Sequence, residues 1–161
     1  MNASSEAAQP ISDVLMLAVQ QATCETFTKI SGQEAMCELT DYQKIEGIFG
    51  SISFTGERVW TLMLGVPRDT ATALGPVFAG FDAPFDSEDM GDMIGELTNV
   101  LAGVVIGELA KSRFHAQMAF PTVARGHESG LFLPKNHAEL RLCFSSSVGK
   151  FWVRIITLLP A

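Results

Sequence analysis

The feature that most constrains this chain is a long segment with helical periodicity, running from Asp86 to about Phe114. It opens with Asp86, Ser87, Glu88 and Asp89, the polar and acidic residues that helix N-termini favour. A helix of about 28 residues would measure on the order of 42 Å, which is longer than the average helix of a globular protein. Because such a helix is stabilised mainly by covering its apolar side, the rest of the chain must supply a layer for it to pack on.

Segments on both sides of this helix alternate apolar and polar residues as the strands of β-hairpins do. The predicted hairpins are residues 45–66, with a turn at Thr55–Glu57 and a return strand at Val59–Val66, and residues 139–159, with a turn at Ser147–Lys150. Consecutive hairpins imply antiparallel pairing, and long helices must then cover one face of the sheet. The sequence therefore predicts an α+β domain with a mostly antiparallel sheet covered by long helices.

The remaining segments complete a single domain over residues 1–161. We expect residues 1–9, which are small and polar, to be a disordered tail. The other predicted elements are a helix from Ser12 or Asp13 to Gly32, a short helix capped by Asp69 or Thr70 and ended by Gly80, an edge strand at 118–124 and a loop at 125–138.

Composition argues against several classes of function. The chain has 11 Lys and Arg against 18 Asp and Glu, a formal net charge of −7, and its basic residues are scattered singly. Nucleic acid is thus not an expected partner. The longest apolar run, Val100–Gly107, is far shorter than the roughly 20 residues of a membrane span, so no membrane insertion is expected.

Cysteine and histidine usage predicts a cytoplasmic protein without a metal site of its own. The 3 cysteines form no CxxC pair, and an odd number disfavours a disulfide framework. The 3 histidines, at positions 115, 127 and 137, match no helical or strand spacing for a ligand pair. We expect reduced thiols and no bound metal.

Within the long helical segment, polar residues form a narrow stripe. Asp92, Glu96, Asn99 and Gly103 fall within about 60° of one another on a 3.6-residue repeat, so they share one face. The apolar residues assigned to the opposite arc, which we expect to face the sheet, are Met93, Leu97, Val100, Leu101, Val104 and Val105.

Two interpretations of the stripe remain open from periodicity alone. It is the ordinary solvated face of an amphipathic helix, or it is a surface that a partner approaches. The stripe carries no Lys or Arg to pair with its acids, and Gly103 costs about 1 kcal/mol relative to Ala in an exposed helix interior. Both features favour a surface that a partner approaches closely.

The pattern Asp92-x3-Glu96-x2-Asn99, followed by Pro121, resembles the signature of the CheC/CheX/FliY family of chemotaxis phosphatases. The resemblance extends over residues 45–127, through FGSISFTGERVWTLMLGVP, GELTNVLAG and FPTVARG. A single Glu-x-x-Asn motif is present, which resembles the CheX branch rather than the two-motif CheC branch.

This resemblance implies a fold, an activity and a partner. The domain would have the CheC/CheX-like fold and hydrolyse the aspartyl phosphate of a phosphorylated CheY-like response regulator. Glu96 would pair with a lysine of that partner, and Asp92 would make a supporting contact at the rim. The Mg²⁺ would belong to the response regulator, and the chain would need no cofactor of its own. CheX-like proteins are homodimers, so we also expect a homodimer.

For the reaction that the resemblance implies, physical chemistry gives a candidate role to Asn99. An acyl phosphate is already activated, and phosphoryl transfer depends mainly on positioning and charge stabilisation. A carboxamide can hold the attacking water by accepting its hydrogen bond, so Asn99 is the candidate for orienting water. Pro121 either ends sheet growth at an edge or shapes the loop beside the helix.

Two other functions remain open at this point. One is a non-catalytic adaptor or phosphate-sink module that binds a response regulator through the same helix face. The other is a structural role in which the stripe builds a dimer. The intact Glu96–Asn99 pair favours the enzyme, because a pure binding surface has no evident need for the amide.

Overall fold

The computed structural model of the protein describes residues 11–39 and 43–159. The predicted tail at 1–9 lies outside the described residues. Within the two ranges the helices and strands, in chain order, are α1 (Asp13–Ser31), β1 (Met36–Glu38), β2 (Glu46–Gly56), β3 (Trp60–Pro67), α2 (Arg68–Leu74), α3 (Glu88–Lys111), β4 (Ala116–Met118), β5 (Thr122–His127), β6 (His137–Ser146) and β7 (Gly149–Leu158). A π-helical turn (Gly75–Ala79) follows α2, and a 3-10 turn (Glu128–Gly130) follows β5.

The strands form one antiparallel sheet in the order β1-β6-β7-β3-β2-β4, and β5 also pairs with β2. The two predicted hairpins are confirmed as β2–β3 and β6–β7. Strands β4 and β5 lie one after the other along the same edge of β2, β4 beside Phe54–Gly56 and β5 beside Glu46–Ser51. This edge of the sheet and helix α3 together build the candidate site described below.

Helices α1 and α3 cover one face of the sheet, as expected for this α+β arrangement. The alternate residues of β2 that face them, Ile48, Ile52 and Phe54, are fully buried, or nearly so, in the main core. Helix α3 approaches β2 closely at Gly50, where an added Cβ would overlap the side chain of Thr98. Thr98 is fully buried and donates its hydroxyl hydrogen bond to the Ile94 carbonyl at 2.7 Å. The missing side chain of Gly50 therefore determines how deep α3 lies on the sheet.

The opposite face of the sheet carries a smaller apolar cluster. Phe49, Met63, Trp152 and Ile156 form its centre, and Leu131 and Leu133 from the segment after β5 pack over it. Phe132, between these two leucines, is 92% exposed. The segment thus covers the second face with alternate residues and leaves the intervening one in solvent.

A buried carboxylate anchors that segment. Glu128 is 3% exposed and accepts hydrogen bonds from Arg154 Nη2 at 2.5 Å and Arg141 Nη2 at 3.0 Å. Its second oxygen accepts from the backbone N–H of Ile45 at 3.2 Å. Burial and the neighbouring positive charge of Arg154 lower the pKa of Arg141. Nothing in the sequence pattern indicates this cluster, because its members come from three separate elements.

The helix ends follow local rules that the sequence shows. The Ser12 side chain caps α1 by accepting from the N–H of Leu15 at 3.3 Å, and Gly32 ends it in the left-handed conformation at φ 70°. Ser87 caps α3 in the same way through the N–H of Met90 at 3.2 Å.

Several predicted boundaries are wrong. Helix α2 begins at Arg68 after Pro67, without a side-chain cap, so Asp69 and Thr70 are inside the helix. Thr70 instead donates its hydroxyl to the Lys150 carbonyl at 2.8 Å. The predicted strand 118–124 is two strands, β4 and β5, and the predicted loop 125–138 begins with strand residues up to His127.

Val100 is also placed differently from the sequence prediction. It is 38% exposed, because it lies four residues after Glu96 and so on the same face of α3. Ile94 and Thr98, which are both fully buried, occupy core positions instead.

Among the described helices, α3 alone is long and apolar enough to cross a membrane by length and composition. Its apolar residues pack inside the domain, against α1 and the sheet, and nine residues of the helix are buried. This is the ordinary position of the central helix of a folded core.

The three cysteines are free and partly buried. Cys24 of α1 and Cys37 of β1 are close neighbours, and burial raises the pKa of both thiols. Both are therefore poor nucleophiles at neutral pH.

Candidate functional site

The polar stripe of α3 forms one wall of an open cleft. Helix α3 and the β4–β5 edge enclose a volume of about 940 Å³. The residues that line it are Gly91, Asp92, Gly95, Glu96, Asn99, Met118, Ala119, Phe120, Pro121, Val123, Ala124 and Arg125. The structure thus brings together four of the five residues predicted from the sequence, Asp92, Glu96, Asn99 and Pro121.

Gly103, the fifth predicted residue, does not line the cleft. It lies one helical turn beyond Asn99 on the exposed face of α3, and a Cβ built there would have no atom within 4 Å. It leaves a flat, open area of helix surface next to the cleft.

The polar side chains of the cleft wall are not engaged with one another or with their surroundings. Across residues 11–39 and 43–159, Asp92, Glu96 and Asn99 make no side-chain hydrogen bond and no ion pair. Asp92 and Glu96 are exposed and Asn99 is partly buried. Two carboxylates and a carboxamide are therefore available to a ligand at the same mouth.

A β-bulge forms the opposite wall. Met118 pairs with Phe54 and Thr122 with Ser51, so the three residues Ala119–Pro121 lie opposite only two residues of β2. Ala119 still donates its N–H to the Ser53 carbonyl at 2.9 Å, which holds one end of the bulge to the sheet. Bulges commonly re-aim a side chain next to a functional site.

The bulge places one large apolar side chain in solvent at the mouth of the cleft. Phe120 is 95% exposed, and Met118 beside it is 40% exposed. Pro121 explains the break in the strand, since proline lacks the N–H that a continuous ladder needs. Pro121 therefore lies at the break between β4 and β5, on the wall of the cleft that faces α3.

Arg125 connects the two walls. Its Nη1 donates to the carbonyl of Asp86 at 3.1 Å and its Nη2 to the carbonyl of Ser87 at 2.6 Å, both at the start of α3. The guanidinium also lies 6.0 Å from the ring centroid of Phe85, which Arg68 covers at 4.1 Å. Sequence reasoning missed both Arg125 and Phe120, although the neighbouring Pro121 already marked this edge.

The described part of the chain contains no group of three or more His, Cys, Asp or Glu placed to hold a metal ion. The cleft offers its acids from one helix face only, with Asp92 and Glu96 one turn apart. Its chemistry is that of a hydrogen-bonding and charge-pairing surface.

The sequence of the central part of the chain decides the family. Residues 48–145 match the family model described as Chemotaxis phosphatase CheX. The chain belongs to the CheX family. The CheX match runs from β2 through α3 and β5 into β6, so it includes every residue that lines the cleft.

Solved structures of CheX-like and CheC-like proteins share the fold. A CheC-like superfamily protein from Shewanella sp. PV-4 has a TM-score of 0.75 at 17% identity and covers 90% of this chain and 97% of its own. The chemotaxis protein CheX from Vibrio vulnificus has a TM-score of 0.70 at 19% identity, covering 91% and 98%. The CheX–CheY–BeF3–Mg²⁺ complex from Borrelia burgdorferi has a TM-score of 0.73 at 17% identity, covering 93% and 99%. No curated protein matches the chain.

Proposed function

We propose that this chain is a phosphatase that hydrolyses the aspartyl phosphate of a CheY-like response regulator. The observation that carries the proposal is the pair Glu96 and Asn99, side by side and unbonded at the mouth of an open cleft. Membership of the CheX family supports the activity, and the Borrelia complex, in which a CheX is bound to a CheY, supports the class of partner.

Asn99 acts on the water. Its carboxamide oxygen accepts a hydrogen bond from a water placed in line with the phosphorus, on the side opposite the aspartyl oxygen. The water oxygen bonds to phosphorus, the bond from phosphorus to the aspartyl oxygen breaks, and the products are a carboxylate and inorganic phosphate. Because the acyl phosphate is activated and its transition state is loose, positioning contributes more than proton abstraction.

Glu96 acts on the partner. Its exposed carboxylate pairs with the lysine that a CheY-like receiver presents beside its phosphate, and this contact sets the register in which Asn99 meets the phosphorus. Asp92, one turn earlier on the same helix, adds a charge contact at the rim. The acidic chain, with a net charge of −7, favours a partner whose docking face is basic.

Gly103 and Pro121 shape the docking surface rather than the chemistry. The open space above Gly103 lets the partner backbone lie close to α3. Pro121 is the last residue of the bulge, directly before β5 begins, and it shapes the second wall of the cleft. Mg²⁺ is bound by the response regulator, where it neutralises the phosphoryl oxygens, and this chain contributes no cofactor.

We also propose a cytoplasmic homodimer. β5 pairs with β2 on one side, and no other described strand pairs with its second edge, which leaves a row of backbone donors and acceptors that a second copy can use. Light scattering at micromolar concentration tests this. A dimer mass is expected, and a monomer mass would contradict it.

The activity is tested by phosphate release. Candidate response regulators from the same cell are phosphorylated, and inorganic phosphate is followed with and without this protein in the presence of Mg²⁺. One regulator should lose its phosphoryl group many times faster with the protein than alone. Binding without acceleration for every regulator would instead support a non-catalytic adaptor or phosphate sink.

A further inference from the structure

We infer that Phe120 is a docking residue of this site, which packs against apolar side chains of the response regulator beside its phosphoaspartate and closes the cleft to bulk water. The inference rests on the proposed function and names a contact that the Glu96–Asn99 pair does not include. Phe120 is 95% exposed in the bulge between β4 and β5, which is unusual for a large apolar side chain.

The exposure of Phe120 is built into the backbone. β4 and β5 pair with β2 on both sides of the bulge, and the Ala119 N–H is bonded to Ser53 at 2.9 Å, so the bulge is tied to the sheet. The residue before a proline is restricted to extended conformations, so Pro121 further limits Phe120. The backbone on both sides of Phe120 is therefore held at the sheet edge, and the ring lies in solvent there.

The surroundings of Phe120 show what it can bind. It lines the same cleft as Glu96 and Asn99, and Met118 beside it adds apolar surface at 40% exposure. On α3, Val100 is 38% exposed on the face that carries Glu96. Apolar groups thus lie beside the polar pair on α3 and across from it on the second wall. Interface centres are enriched in aromatic residues and methionine, and near-neutral contacts around the central residues exclude water.

Exclusion of water has a use in docking at this position. Charge contacts such as that of Glu96 strengthen when bulk water leaves their surroundings, so the ring tightens binding and leaves the chemical step to Asn99. A ring that covers the second wall of the cleft excludes bulk water without touching the phosphoryl group. Phe120 is therefore a specificity and docking residue, and Asn99 remains the group at the reacting atoms.

Charge decides what occupies the cleft in front of Asp92 and Glu96, a response regulator or a second copy of this chain; a second copy that pairs with the outer backbone edge of β5 does not have to enter that space. A second copy would bring a net charge of −7 against the unpaired Asp92 and Glu96. Like charges held close together at an interface oppose binding. A receiver domain that presents a lysine next to an apolar patch matches both walls at once.

The test compares Phe120→Ala with Phe132→Ala, which removes an equally exposed ring, 92% exposed, from the segment on the opposite sheet face. Affinity is measured for the response regulator loaded with beryllofluoride and Mg²⁺, a form that cannot be hydrolysed. Burying a phenylalanine corresponds to about a 10- to 100-fold effect, so Phe120→Ala should bind roughly that much more weakly and Phe132→Ala should match the parent. In phosphate release, KM should rise by a similar factor while kcat stays within about twofold.

Four results would overturn the inference. They are parent-like affinity of Phe120→Ala, an equal loss in Phe132→Ala, a fall in kcat at unchanged KM, and a change of oligomeric state in Phe120→Ala by light scattering. Thermal unfolding of Phe120→Ala should match the parent, since the ring has no buried contacts to lose. A parent that binds the regulator but releases no phosphate would end the proposed activity, while the binding comparison would still decide the role of Phe120.

Discussion

Arg125 Nη2 lies 2.6 Å from the main-chain oxygen of Ser87, the residue that caps helix α3. The two residues are 38 positions apart in the chain, on the two walls of the cleft. The bond joins the N-terminus of α3 to the sheet edge. Glu96 and Asn99 lie on that helix, and Phe120 lies on that edge. Arg125 is accordingly a positioning residue.

Arg125→Ala should loosen this connection. Hydrogen bonds to charged groups are worth about 1.5–3 kcal/mol, less where the pair is solvated as here, so we expect a loss of about 1 kcal/mol in unfolding free energy. We expect phosphate release to fall severalfold through kcat, because Asn99 is held less accurately. Arg125→Lys, which keeps the charge but not the fork, should recover stability only in part. Parent-like kcat in Arg125→Ala would contradict the positioning role.

Gly50→Ala should move α3 away from the sheet. The new methyl group would overlap the side chain of Thr98, which is fully buried and directly precedes Asn99 in the chain. Overpacking of this kind costs about 1–3 kcal/mol. The double variant Gly50→Ala/Thr98→Ala should recover most of that loss, because the overlapping hydroxyl is removed. Urea unfolding of the parent, the two single variants and the double variant measures these unfolding free energies. Losses that simply add in the double variant would show that the two residues do not contact.

Glu128→Ala should be strongly destabilising. It leaves the buried guanidinium of Arg154, 5% exposed, without its main partner, and breaking a buried pair costs about 3–5 kcal/mol. The matched control is Glu139→Ala, which removes the second, 38% exposed carboxylate that pairs with Arg154. We expect that control to cost less than about 1 kcal/mol. Equal losses in urea unfolding would contradict the anchoring role of Glu128.

These relationships mark what the sequence could and could not predict. The ends of α1, at Ser12 or Asp13 and at Gly32, were predicted because helix termini depend on hydrogen bonds within a few residues. The β2–β3 hairpin was predicted because alternation and a turn are also local. β1 was missed because a strand of 3 residues has no period to detect. The bulge at Ala119–Pro121 and the Arg125–Ser87 bond depend on pairing between distant segments, which no local pattern encodes.

The candidate site also has a part that the sequence predicts and a part that it does not. Asp92, Glu96 and Asn99 share a helix face by periodicity, and the structure places them on one cleft wall. Val100 was assigned to the wrong arc, although its spacing of four from Glu96 already indicated the exposed face. The second wall, with Phe120 and Arg125, could not be predicted without the strand order, because it depends on which strand lies beside α3.

Glu96→Ala should weaken docking in a salt-dependent way. Loss of one member of an interfacial charge pair costs about 2–5 kcal/mol when the pair is buried and less at a rim. We expect weaker binding of the beryllofluoride-loaded regulator, with less dependence on ionic strength than the parent shows. Glu25→Ala on α1 removes the same charge away from the cleft and serves as the control. Affinity unchanged in Glu96→Ala would remove Glu96 from the docking role.

The measurement that tests the central claim most directly is single-turnover phosphate release by Asn99→Ala, with binding of the beryllofluoride-loaded regulator measured in parallel. Alanine is a better helix former than asparagine, so the fold should be kept or slightly stabilised. Loss of a group that holds a reacting water should lower the rate by about 10²–10³-fold while the regulator still binds. A folded Asn99→Ala protein that releases phosphate at the parent rate would contradict the account.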